Sequence, residues 1–332
     1  FMELTLDQAL QKGIESHKAG QFQDADKFYS AVLRAVPKHP VANHNMGLLG
    51  VGAGRIKDAL PFFRTAIEAN PSTLQFWLSY IDALIKLGQI GDAKVVFNQA
   101  KDKGAKGEAF DDIGEELAKC YYRTGSALSN KGDFGEAIKS YKQAIKIRPD
   151  YEEAYNNLGL VLIDMGDLSA AIGSFKQAAK ANPDYAEAFY NMGIAFDGKG
   201  DREAAIESYK MALRIKPDFY EAYFNLGKTL QDNGNLKAAV DNYRQAIKLN
   251  PDSAGVHNNL AYALVDLKQP DLAFASYEKA IYFEKDYESA LRGMGNLLLS
   301  RGQYVEGLNN LRLASGSIFF NIKGGFFMKK GV

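Results

Sequence analysis

The sequence predicts an all-α fold, an array of about nine repeated helical hairpins. Three observations carry this. Pro149, Pro183, Pro217 and Pro251 stand 34 residues apart. Alanines keep the same spacing at Ala137, Ala171, Ala205, Ala239 and Ala273. So do aromatic residues, from Tyr141 through Phe175, Tyr209 and Tyr243 to Tyr277. A period this long marks a stacked supersecondary unit, in which each repeat buries its apolar face only against its neighbours.

With the proline at position 32, repeats start at residues 6, 40, 74, 118, 152, 186, 220, 254 and 288. Glycine or alanine at position 8, except at Ile81, and alanine at position 20 let the two helices of a repeat approach closely. Aromatics at positions 4 and 24 fill the space between successive repeats. Glycine at position 15, from Gly20 to Gly302, makes the turn inside the hairpin. Proline stops the second helix. Asp150, Asp184 and Asp218 are then predicted to cap the next one, with Glu153, Glu187 and Glu221 in capping-box spacing.

The register slips once. Ten extra residues, "EAFDDIGEEL", precede the repeat at 118 and predict a lengthened or kinked helix with Gly114 as its weak point. The expected organisation is three repeats over 6–107, a helical insert at 108–117, six repeats over 118–319 with the last degenerate, and an apolar tail at 320–332. The tail, with Phe319–Phe320 and Phe326–Phe327 around a Gly-Gly break, predicts a strand or a loose segment. Three roles compete for it: folding back as a cap, beginning a further domain, or docking onto another copy.

This constellation resembles the tetratricopeptide repeat. The resemblance covers residues 6–319 and implies a right-handed α-α superhelix of helix–turn–helix units whose first helices line a concave groove. Position 6 then falls in that groove, and it is Asn45, Asn157, Asn191, Asn225 and Asn259. An amide side chain carries an acceptor oxygen and two donor hydrogens, so it can hold the backbone of an extended peptide without reading its side chains. The blander reading is an asparagine tolerated at a half-exposed position, or one supporting the next repeat. Four in register favour the ladder. Residues 118–284 also resemble the repeat region of O-linked N-acetylglucosamine transferases and related bacterial proteins, in which a groove asparagine holds substrate peptides. The chain departs from that pattern at Gln11, Ser79, Arg123 and Gly293, and no glycosyltransferase domain follows within it.

Neighbouring groove positions bring Arg123 and the aromatics Tyr122, Tyr190, Phe224 and Tyr262, and the acids Asp164, Asp197, Asp232 and Asp266. An aromatic and acidic trough prefers extended segments with apolar and basic side chains. Charges near helix ends are more often simply solvated. Glu187 and Asn191 stand where chaperone-binding tetratricopeptide domains carry a basic carboxylate clamp, which argues against chaperone-tail binding.

Composition narrows the function classes. Lys plus Arg equals Asp plus Glu at 40 each, so no global charge draws the chain to nucleic acid or anionic membrane. One cysteine, Cys120, excludes an internal disulfide. No apolar run is long enough to span a bilayer, and "FMELTLDQALQKG" lacks the pattern of a signal peptide. "GVGAGR" and "GIAFDGKG" mimic nucleotide-binding loops, but both fall on a first helix and its turn with no strand before them. His17, His39, His44 and His257 show no metal spacing, and His257 and Trp77 read as packing residues. The sequence therefore predicts a non-catalytic, cytoplasmic scaffold with a protein or peptide partner and neither cofactor nor metal. A substrate-recruiting arm of a larger transferase is the second reading. Homo-oligomerisation through the phenylalanine-rich tail is the third.

Overall fold

The computed structural model describes residues 4–315 and the backbone of 318–321 and 325–328. It forms two compact units, residues 1–154 and 155–332. The boundary falls inside a helix, not at the 108–117 insert where the register slips.

The first unit pairs helices in chain order: α1 (Leu6–Lys18) with α2 (Phe22–Ala35), α3 (Pro40–Gly52) with α4 (Ile56–Ala69), α5 (Leu74–Lys86) with α6 (Ile90–Asp102), and α7 (Glu108–Asn130) with α8 (Phe134–Ile147). The insert is absorbed into α7, which runs unbroken for 23 residues. Gly114 does not interrupt it. It is a flat spot against Phe97, whose Cζ would lie 3.0 Å from an added Cβ.

The boundary lies in α9 (Glu152–Asp164). The second unit continues with α10 (Leu168–Ala181), α11 (Ala186–Gly198), α12 (Arg202–Ile215), α13 (Tyr220–Asp232), α14 (Leu236–Leu249), α15 (Ala254–Asp266), α16 (Pro270–Phe283), α17 (Glu288–Ser300) and α18 (Tyr304–Ser315). Two short antiparallel strands follow, β1 (Ile318–Asn321) and β2 (Gly325–Met328), with Phe319 opposite Phe327.

One contact closes the hairpins. The ring at position 24 rests on the bare backbone of the glycine at position 8. An added Cβ at Gly159 would stand 2.5 Å from Phe175, at Gly193 2.6 Å from Tyr209, and at Gly227 2.7 Å from Tyr243. Where position 8 is not glycine, the ring meets a group beyond the hairpin. In the repeat with Ala261, Tyr277 lies against Gly293 of the following hairpin, where a Cβ would meet it at 2.5 Å. Beside Ile81, Phe97 stacks on Phe110, centroids 4.5 Å apart.

The caps differ from expectation. The caps of α11 and α13 are Tyr185 and Phe219, neither making a side-chain cap bond. Asp184 is one residue too early, and its N–H donates instead to Asn182 Oδ1. Side-chain caps stand at α8, α10, α12 and α14, where Asp133, Asp167, Asp201 and Asn235 each accept from the N–H three residues on, and at α1, α3 and α15, where Thr5, His39 and Ser253 do the same. The intra-hairpin turns need a left-handed residue, as at Gly166 with φ 81°. Lys268 adopts the same geometry, φ 59°, without being glycine.

Candidate binding face

The first helices of the second unit carry the asparagines. Asn157, Asn225 and Asn259 are half-buried, and Asn191 is buried at 8% exposure. Several of these amides engage the protein itself. Asn191 Nδ2 donates to Asn156 Oδ1 at 2.9 Å, and Asn225 Nδ2 donates to the Tyr190 hydroxyl at 3.0 Å. In the first unit, His44 Nε2 and Ser79 Oγ lie 2.9 Å apart in the same relation. Position 5 of one repeat thus pairs with position 6 of the next, 35 residues on. Within a repeat, Asn156 Nδ2 donates to Asn157 Oδ1 at 3.4 Å and Asn258 Nδ2 to Asn259 Oδ1 at 3.2 Å. Asn258 Oδ1 is buried with no partner among the described residues. The position-6 residue that should face it is Gly293.

Sequence reasoning did not single out the position-5 partners Asn156, Asn258, His44 and Tyr190 as one set. The signal was present in the doubled "NN" at 156–157 and 258–259.

The aromatics flank this stripe and pack inward. Tyr190 lies against Phe219 and Tyr209, Phe224 against Tyr243, and Tyr262 edge-on to Tyr277. Tyr262 is 36% exposed, and its hydroxyl donates to Ser289 O. Asp164, Asp232 and Asp266 are exposed and Asp197 is half-buried. Burial pushes the hydroxyl pKa of Tyr209, Tyr243 and Tyr277 upward, and Asp197, Asp232 and Asp266 add to the shift in turn. Asn259 partly offsets it at Tyr243.

The other predicted site residues belong to the first unit. Asn45 is half-buried on α3. Tyr122 packs on Tyr141 and Tyr151, and Arg123 is exposed, 3.7 Å from Glu116. Burial, then Glu153, raises the Tyr151 pKa to about 12. A cavity of about 870 Å³ is also in this unit, between α4, α5 and α6, lined by Trp77, Tyr80, Leu84 and Val96. Trp77 Nε1 donates to Pro71 O and His257 Nε2 lies 2.9 Å from Pro251 O, so these position-4 residues also satisfy the carbonyl of the preceding proline. Among the described residues, no helix is long and apolar enough to cross a membrane.

Family models described as TPR repeat match residues 125–166 and 229–268, and others described as tetratricopeptide repeat match 51–113, 156–218, 208–241 and 254–287. No curated protein matches the chain. Among solved structures, a MamA protein is similar over 51% of this chain and 92% of its own, at 27% identity and TM-score 0.48. YrrB, described as a TPR protein with an unusual peptide-binding site, is similar over 52% of this chain and 90% of its own, at 22% identity and TM-score 0.47. The P58(IPK) TPR domain spans 94% of this chain and 92% of its own, at 18% identity and TM-score 0.34.

Proposed function

Because the chain belongs to the tetratricopeptide repeat superfamily, whose stacked hairpins serve as protein-interaction scaffolds, we propose that its second unit holds an extended peptide laid across α9, α11, α13 and α15. In this reading the chain holds a partner and carries out no chemistry of its own. The observation that supports it is the stripe of half-buried amides at Asn157, Asn225 and Asn259, bordered by Tyr262 and by the exposed acids Asp164, Asp232 and Asp266. The contact of Asn225 with Tyr190 uses one of the amide's two hydrogens. Each of these side chains is short, so its reach is limited to main chain laid directly over the helix. Asn191 has a different role. It is buried and ties two repeats together, which orients the stripe without touching a guest.

The test is an array of extended peptides rich in apolar and basic residues, probed with the full chain. Replacing Asn157, Asn225 and Asn259 together by alanine is expected to abolish the array signal while far-ultraviolet circular dichroism stays unchanged. An unchanged binding pattern would refute the reading.

A further inference from the structure

The ten-residue insert builds a cleft that the repeat pattern does not contain. It opens in the first unit between α6, the N-terminal half of α7 and the end of α8, with a volume of about 450 Å³. Its base is the Phe97–Phe110 stack and Gly114. Left-handed Gly104 and Gly107 turn the chain into the insert. Ala105, Ile147 and Pro149 supply apolar wall above that base.

Charge is concentrated on the rim. Lys94, Lys101, Lys106, Lys146 and Arg148 line the cleft with Asp111, Glu115 and Asp150. Arg148 is paired with Asp150 at 3.3 Å, and Glu115 with Lys119 at 3.3 Å. Lys94 rests on the neutral amide of Gln143. Lys101, Lys106 and Lys146 are exposed and have no ion-pair partner among the described residues. Four cations thus lack a carboxylate, against one acid, Asp111, that lacks a cation. In a chain with 40 charges of each sign, this is a local excess.

We propose that this cleft docks an acidic segment of a partner protein, seating an apolar side chain against Ala105, Ile147 and Pro149 while its carboxylates meet Lys101, Lys106 and Lys146. The rim favours a polypeptide over a nucleic acid. Asp111, Glu115 and Asp150 lie among the lysines, and a phosphodiester chain, charged at every step, would meet them. A peptide can place its carboxylates only where the lysines are. The pocket also offers an apolar seat, which a sugar-phosphate backbone cannot use. This surface lies in the first unit and is independent of the asparagine stripe.

The probe is a fluorescent peptide alternating Glu and Leu, titrated by anisotropy against the full chain at low salt, beside a Lys–Leu counterpart and an oligothymidylate. The acidic peptide is expected to bind. The Lys–Leu peptide, which suits the asparagine stripe, is titrated against the chain with Asn157, Asn225 and Asn259 replaced by alanine and is expected not to bind there. Lys101→Glu, Lys106→Glu and Lys146→Glu together are expected to weaken binding by about tenfold or more. All three side chains are exposed, so helicity should be unchanged. A control carrying Lys180→Glu, Lys237→Glu and Lys248→Glu keeps the same net charge as that variant and is expected to bind like the parent. Replacing Asn157, Asn225 and Asn259 should not matter. The proposal is overturned if the acidic peptide does not bind, if the two lysine triples weaken it equally, or if the Lys–Leu peptide binds the asparagine-substituted chain, or the oligothymidylate the parent, as tightly.

Discussion

Alanine in place of Gly227 should destabilise the second unit, although alanine is the better helix former by about 1 kcal/mol. The new Cβ would stand 2.7 Å from Tyr243 Cε1 and 2.8 Å from Cδ1. Carbon atoms pack comfortably at about 3.5–4.0 Å, so the ring must retreat by close to an ångström. It has nowhere to go. Tyr243 is fully buried among Leu226, Leu230 and Leu264, and its hydroxyl donates to Gln231 Oε1 at 2.8 Å. Overpacking of this kind costs about 1–3 kcal/mol. Set against the gain in propensity, the net is a loss of about 0–2 kcal/mol. The cleaner measurement is a difference. Gly173 sits inside α10 with nothing within 4 Å of an added Cβ, so Gly173→Ala should stabilise by about 1 kcal/mol. The two variants should therefore differ by roughly the steric cost alone, about 1–3 kcal/mol. Urea unfolding followed by circular dichroism gives this difference from the midpoints, provided both variants share one slope. Equal shifts in the same direction would sink the argument that the bare backbone of Gly227 is what admits the ring.

Other outcomes follow from the same geometry. Asn191→Ala removes the donor to Asn156 Oδ1 and should cost about 1–3 kcal/mol; thermal unfolding unchanged from the parent would show that the bond contributes nothing. Lys268→Gly relieves a left-handed side-chain residue and should raise stability by about 1 kcal/mol or less, read from the same urea curves. Burial lowers the pKa of His17, His44 and His257 below the ordinary 6.5. The unfolded chain then takes up protons first, so stability is complete above about pH 6.5 and falls as pH drops below it. Melting temperature against pH should show that decline, and His44→Gln should make it shallower; a curve rising toward acid would contradict the burial of these rings.

Much of the fold was legible because its determinants repeat. A glycine at position 8 and an aromatic at position 24 announce their contact by recurring together, and the glycine turns do the same. The cap at Asp184 was misplaced by one residue because Asp184 and Asp167 look equally suitable in sequence, and only the backbone decides which of them stands directly before a helix. The asparagine stripe was legible as a pattern but not as a set of bonds. The Asn156–Asn191 partnership spans two repeats, and nothing local to either residue specifies it. The lysine-rimmed cleft was invisible for a related reason. Its walls come from three helices and a loop, and the insert that creates it reads in sequence only as a slipped register.

Tyr277 and Phe97 set limits on modularity. Most hairpins carry their own notch for their own ring, so a neighbour could be removed without opening that contact. Repeats three and eight, without glycine at position 8, also rest their rings on a glycine beyond the hairpin, Gly114 and Gly293. A chain shortened to end after α14 would keep the ring of Tyr243 on Gly227. One ending after α16 would strip the wall from Tyr277 and leave an otherwise complete hairpin ajar.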